Sequence, residues 1–278
     1  NLPLTGTYLV TGPPGTGKTV VALHRAGMCK AKKIQANLIV YNNTLDQYLG
    51  LALQNLQLGQ NTSTFHSWFS NWYKRNINYR VPKIDAFEFD WNSIYQEVGR
   101  KGDSLKRASH IILDEGQDFP RQLYSILPFM VENITVFADE NQRIKEQNST
   151  IDEIRESLGL SQVYSLKKNY RNTRSVAEFA ASFYAGLKTG IPSFPDRTGL
   201  KPILYLGQTY RDQIELIARY ATANPGKQIG IFVASKNPQQ WSFYKGLEEK
   251  NISVQIYQSN NYQFNKVDFS RPGAFAIC

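Results

Sequence analysis

Two short stretches of this sequence carry residues whose types and spacing suit chemistry on a phosphate. Gly12, Pro13, Pro14, Gly15, Thr16, Gly17, Lys18 and Thr19 fit G-x-x-x-x-G-K-[ST] at every fixed position. Glycines let backbone N–H groups close around a phosphate without Cβ clashes. The N-terminus of a following helix adds positive field at the same point. Lys18 would reach the β- and γ-phosphates of a nucleotide, and the Thr19 hydroxyl would ligate Mg2+. The second stretch is Ile111–Leu113 followed by Asp114 and Glu115. Its apolar residues bury a strand whose tip presents two carboxylates. Asp114 can hold the Mg2+ through its water shell, and Glu115 can polarise an attacking water. The bland alternatives are a chance glycine-rich turn and a solvated acidic strand end. The two stretches together weigh against both.

Such groups work only if strands and helices bring them together. Apolar runs of strand length alternate with helix-length segments, the rhythm of an α/β fold with parallel sheets flanked by helices. Thr7–Thr11 reads as the strand before the glycine turn, and Lys18–Lys30 as the helix after it. Ala36–Tyr41, Ser109–Leu113 and Ile134–Ala138 read as further strands, Thr44–Asn55, Phe65–Arg75 and Ala86–Gly99 as helices. A second unit is expected from about residue 161: strands Val163–Leu166, Pro202–Leu206, Gln228–Ala234, Ile252–Tyr257 and Ala274–Ile277, with helices Ser175–Leu187, Arg211–Ala223 and Gln239–Lys250. The expected division is residues 1–160, with a short helical insertion at about 66–108, and residues 161–278.

At 278 residues with 41% hydrophobic content, the chain can build two compact cores. Lys and Arg outnumber Asp and Glu by 32 to 23, and this net +9 suits either a polyanionic partner or a basic, well-solvated surface. Cys29 and Cys278 are far apart, and with His24, His66 and His110 they form no zinc-type spacing. A disulfide framework is not expected, which fits a reducing, cytoplasmic compartment. No apolar run is long enough to span a bilayer, so no membrane association is expected. The sequence opens at Asn1 without a methionine or a signal peptide and reads as a fragment.

Further along, the pattern becomes more specific. Asp114–Asp118 (DEGQD) resembles the DE-x-QD motif II of the UvrD/Rep/PcrA-type superfamily 1 helicases. Ala138–Ile144 (ADENQRI) resembles their motif III, and Leu166–Asn172 (LKKNYRN) their motif IV. Leu38–Leu49 is similar to motif Ia, and Thr64–Ser67 to the T-F-H-S element, all in the family's order. The resemblance implies two RecA-like lobes and an ATP-driven, single-stranded DNA translocase or helicase of 3′→5′ polarity, acting in repair, recombination or phage defence. It implies that ATP is the nucleotide and single-stranded or partly duplex DNA the partner. Gln142 would contact the γ-phosphate or the lytic water, and Arg171, placed in the second lobe, would reach across as an arginine finger. Tyr170 would stack on adenine. Tyr41, Asn42, Asn43, Phe65 and His66 would face DNA. Alone, Gln142, Arg171 and Tyr170 read equally well as a surface, a structural and a core residue. Trp68, Trp72 and Tyr73 read as core packing rather than base stacking. Lys74, Arg75 and Arg80 read as a solvated face or a phosphate patch.

The sequence departs from that family in several places. Ala138 replaces the usual glycine of motif III, and Lys145–Gln147 stand where aromatic and Arg residues are common. Both large accessory insertions are missing, as are motifs V and VI, which predicts ATP binding with poor hydrolysis. A second reading is therefore a nucleotide-gated regulatory module of a nuclease or defence complex that does not unwind DNA. An unrelated P-loop NTPase such as a kinase is a third, and it predicts no Gln142 or Arg171 near the nucleotide.

Overall fold

The computed structural model describes residues 2–41, 43–55, 62–85, 88–142, 148–184, 186, 190–233, 239–258, 263–268 and 271–277. The chain divides into two compact units, Asn1–Pro202 and Ile203–Cys278.

The first unit is built on one six-stranded parallel sheet. Its strands are β1 (Thr7–Thr11), β2 (Ala36–Val40), β3 (Thr62–Thr64), β4 (Ala108–Leu113), β5 (Val131–Ala138) and β6 (Tyr164–Ser165), in the order β3-β2-β4-β5-β1-β6. Every strand pair is parallel. All six C-terminal tips therefore lie along one edge, where ligands of open α/β sheets bind.

The strands are apolar on both faces because helices cover both. Successive residues alternate between two cores, as a period of two requires. Val10, Leu38, Val40, Ile112 and Phe137 pack with α1 (Lys18–Ala31) and α2 (Asn43–Asn55). Leu9, Ile39, Ile111, Leu113 and Val136 pack with α3 (Phe65–Ile77), α4 (Trp91–Lys101), α5 (Arg121–Met130) and α6 (Ile151–Ser157). Trp68, Trp72 and Tyr73 belong to this second core. α7 (Arg174–Ala181) completes the unit.

The compact units part at 202/203, not at the expected 160/161. The reason is hydrogen bonding: β6 pairs with β1, and the Tyr170 N–H donates to the Gly15 carbonyl at 2.8 Å. Arg171 consequently belongs to the same unit as the P-loop, where a separate lobe was expected.

The second unit has a parallel sheet ordered β7-β9-β8, from Gln228–Phe232, Gly273–Ile277 and Val254–Ile256. α8 (Tyr210–Ala223) and α9 (Gln239–Glu248) bury Ile214, Ala218, Phe243 and Leu247 against it. Pro202–Leu206 forms no strand. Nothing among the described residues offers it a ladder, and Ile203, Leu204 and Leu206 are 80–88% exposed. Helix α7 ends at Ala181, short of the expected Leu187, and α4 begins at Trp91 under an Asp90 cap that accepts from the Ser93 N–H. Among the described residues no helix is long and apolar enough to cross a membrane.

Candidate nucleotide site

β1 ends at Thr11, and the chain turns through Gly12–Gly17 into α1. Gly15 and Gly17 take φ of +84° and +90°, a region open to glycine but strained for other residues. The Gly12 N–H donates to the Ala138 carbonyl at 3.3 Å, tying the turn to the tip of β5. Thr16 closes the turn from inside through its hydroxyl, 2.8 Å from the Pro13 carbonyl.

Lys18 is only 6% exposed. Its ammonium donates to the Gly12 carbonyl at 2.7 Å and lies 3.4 Å from Asp139 Oδ2. Asp139 is fully buried at the end of β5 and also accepts from Gln142 Nε2 at 2.7 Å and from the Asn141 N–H at 3.0 Å. Lys18 and Gln142 thus share one carboxylate.

Asp114 follows β4, the strand next to β5. It is 0% exposed, and neither carboxylate oxygen has a hydrogen-bond partner of good geometry. Burial, with Glu115 adding, pushes it up to about 7, while the nearby Thr19 hydroxyl and Lys18 ammonium pull the other way. A buried carboxylate lacking partners beside a threonine at a helix N-terminus fits a divalent cation that also takes phosphate oxygens. Among the described residues no group of three or more His, Cys, Asp or Glu side chains could hold a metal by itself.

Glu115 is partly buried at φ 55°, ψ 50°. Its carboxylate accepts from Gln117 Nε2 at 3.0 Å, and the other end of that amide, Oε1, accepts from the Asp139 N–H at 2.8 Å. Gln117, at 1% exposure, thereby links the tips of β4 and β5. The Gly116 carbonyl accepts from the Tyr124 hydroxyl, and a Cβ on Gly116 would stand 2.4 Å from Val136 Cγ1.

The stretch after β6 lies on the P-loop. Asn169, 3% exposed, uses Oδ1 to accept from the N–H groups of Arg171 and Asn172 at 3.0 and 3.1 Å. Tyr170 is 67% exposed, with Lys168 Nζ 5.5 Å from its ring centre. Arg171 is anchored through its main chain, whose carbonyl accepts from Arg197, and its side chain is exposed. It makes no ion pair among the described residues. A cavity of about 290 Å³ opens here, walled by Pro14, Asn141, Asn169, Asn172 and apolar residues such as Phe194.

The expected DNA-facing residues fare unequally. Asn42 lies outside the described residues, and Asn43 is the exposed first residue of α2. Phe65 is 1% exposed and packed edge-on against Phe89 and Phe119, a core role that leaves no ring face for a base. Tyr41 and His66 are partly buried, 6.0 Å apart by ring centres, and border a cavity of about 450 Å³. Asp85, Glu88 and Asp118 also line it, so its field is acidic, the opposite of a phosphate track.

Sequence reasoning assigned no role to Asp139, Gln117 or Asn169 as partners of site residues. All three lie in the stretches DEGQD, ADENQRI and LKKNYRN. Motif spacing marks such positions as notable but cannot say which distant group each one meets.

A family model described as an AAA domain matches residues 4–148, which hold the P-loop, Asp114, Glu115 and Gln142. No curated protein matches the chain. Among solved structures the chain is similar to the Pif1 helicase from Candida albicans, with 13% identity and TM-score 0.44, covering 83% of this chain and 48% of that one. It is also similar to the helicase nonstructural protein 10 of an Arterivirus, solved with DNA, with 14% identity, TM-score 0.40 and coverages of 84% and 54%. The Hef helicase domain of Pyrococcus furiosus gives 11% identity, TM-score 0.32 and coverages of 98% and 82%. The chain spans about half the length of the first two.

Proposed function

Because the chain belongs to the AAA domain family through residues 4–148, we propose that it is the ATP-binding core of an ATP-driven, single-stranded DNA translocase or helicase. One observation carries the reading. Lys18, Asp114, Glu115 and Gln142 stand at the C-terminal ends of β1, β4 and β5, and Asp139 and Gln117 connect Lys18, Gln142 and Glu115 by hydrogen bonds. Groups gathered in this way suit a triphosphate and an attacking water.

In this reading the N–H groups of the Gly12–Thr19 turn and Lys18 hold the β- and γ-phosphates. Asp114 and Thr19 would hold Mg2+, which when bound neutralises charge on the phosphate oxygens. Glu115, held by Gln117, takes the proton of the attacking water. Gln142 contacts the γ-phosphate or that water. Arg171 supplies positive charge to the transferring group, and the exposed ring of Tyr170, next to the P-loop backbone, stacks on adenine. Ile203–Cys278 is read as part of a second RecA-like lobe. Tyr41, Asn43 and His66 are the described candidates for contact with DNA. The UvrD/Rep/PcrA type and the 3′→5′ polarity rest on the motif resemblance alone.

The acidic cavity beside Tyr41 and His66 favours a second reading, a nucleotide-gated module of a nuclease or defence complex that does not unwind DNA. Steady-state ATPase assays with and without single-stranded DNA separate the two. Stimulation, lost in Lys18→Ala and in Glu115→Gln while Glu115→Gln still binds ATP, is the expected result. Turnover indifferent to DNA favours the gate, and turnover retained by Glu115→Gln removes Glu115 as the base.

A further inference from the structure

Asp139 does something in this site that the phosphate chemistry alone does not call for. Its fully buried carboxylate holds the ammonium of Lys18 at 3.4 Å and the amide of Gln142 at 2.7 Å on the same oxygen, Oδ2. The other oxygen accepts from the Asn141 N–H at 3.0 Å. Its own N–H is held by Gln117, which also holds Glu115. The Lys18 ammonium thus has three protein partners: the carbonyls of Gly12 and Pro13 at 2.7 and 3.5 Å, and one anion, Asp139. An ammonium has three donors, so a phosphate oxygen can be received only by giving up one of these contacts.

We propose that Asp139 is a positioning residue that pairs with Lys18 and surrenders it to an incoming triphosphate. Exchange of one anion for another leaves the two carbonyl contacts intact, so the Asp139 contact is the one given up. A buried carboxylate that has lost its cation then faces the charge of the phosphates, and repulsion displaces it. Gln142 moves with it because the amide is bonded to that carboxylate. Glu115 senses the same change through Gln117. Occupancy of the P-loop is thereby transmitted to the two groups that would act on the attacking water. This inference rests on the proposed nucleotide reading and adds to it which contact a bound triphosphate displaces.

The test is a titration of the whole chain with a non-hydrolysable ATP analogue and Mg2+, together with steady-state turnover, for wild type, Asp139→Asn and Glu115→Gln. Asn at 139 keeps the shape and an acceptor for the Asn141 N–H but offers Lys18 no charge. Nucleotide affinity should rise about tenfold in Asp139→Asn while kcat falls, a split in opposite directions that a merely structural role would not produce. Glu115→Gln removes the same charge from the site without touching Lys18, so its affinity should rise far less. An equal rise in both variants, or unchanged or weaker binding in folded Asp139→Asn, overturns the proposal. Should Asp139→Asn fail to fold, the carboxyl 13C resonance of Asp139 in the wild-type chain decides. It must shift at saturation with the analogue, and an unmoved resonance overturns the exchange. A wild-type chain that binds no analogue sinks the nucleotide reading and this proposal together, whereas binding without these signatures sinks the proposal alone.

Discussion

Asn169 and Gly15 fit so closely that a methyl group on Gly15 would stand 2.4 Å from Asn169 Oδ1. The same oxygen accepts from two N–H groups of the Tyr170–Asn172 turn, and Tyr170 donates to the Gly15 carbonyl. The P-loop and the N-Y-R turn are therefore one interlocked piece.

Gly15→Ala should fail on two counts, the clash and the positive φ, at a cost of about 1–3 kcal/mol. The expected outcome is a lower melting temperature together with weaker nucleotide binding, read by thermal denaturation and titration. A variant as stable as wild type would mean that the turn is not held against Gly15 in solution.

Gln117→Ala removes the link between Glu115 and β5 while leaving every phosphate-facing group in place. Turnover should drop about 10- to 100-fold through kcat, with KM nearly unchanged, because the aim of Glu115 is lost and the Asp139 N–H loses its acceptor, while Lys18 and the glycine turn are untouched. Steady-state kinetics on the folded variant decide this. A change confined to KM would assign Gln117 to binding instead.

His110 makes acid stability specific to one residue. It is fully buried in β4, with Cys29 Sγ 3.6 Å from Nδ1 and Thr135 Oγ1 3.2 Å from Nε2. Burial, with Arg25 adding, lowers its pKa from 6.5 to about 4. Between those values the unfolded chain takes up a proton at this site and the folded chain does not. Its contribution to stability is complete above about 6.5 and is lost as pH falls towards 4, on the order of 3 kcal/mol in all. Urea denaturation of wild type and His110→Gln at pH 7, 5.5 and 4.5 should show the difference between them changing across that window. Parallel curves would exclude His110 as a source.

The fold was readable where local pattern and tertiary demand agree. Thr7–Thr11, the glycine turn and the helix from Lys18 are marked by composition at every step, and the structure has them there. Pro202–Leu206 is at least as apolar as Thr7–Thr11, yet no neighbour among the described residues pairs with it, and a strand exists only where a ladder is supplied. The strand expected at Val163–Leu166 is present as Tyr164–Ser165, but its pairing with β1, which local pattern does not encode, draws residues 161–202 into the first unit. α5 and α6 are absent from the elements expected from the sequence, although Thr150 and Glu153 form a capping box at the start of α6.

The same division holds at the site. The placement of Lys18 and Asp114 beside one another is legible because a parallel sheet brings all strand tips to one edge. The bridge from Glu115 through Gln117 to Asp139 spans two strands that only the strand order brings side by side. The burial of Phe65 likewise follows from Phe89 and Phe119 packing on it, which the T-F-H-S pattern does not encode.

Glu115 keeps a left-handed backbone, φ 55°, which costs a side-chain-bearing residue on the order of 1 kcal/mol and glycine almost nothing. Selection for heat tolerance alone would therefore enrich glycine or asparagine at 115, whereas with Glu115 in its proposed role selection for turnover would keep the acid. At this one position the two kinds of fitness point in opposite directions, so any engineered thermostable form must find its gain elsewhere in the chain.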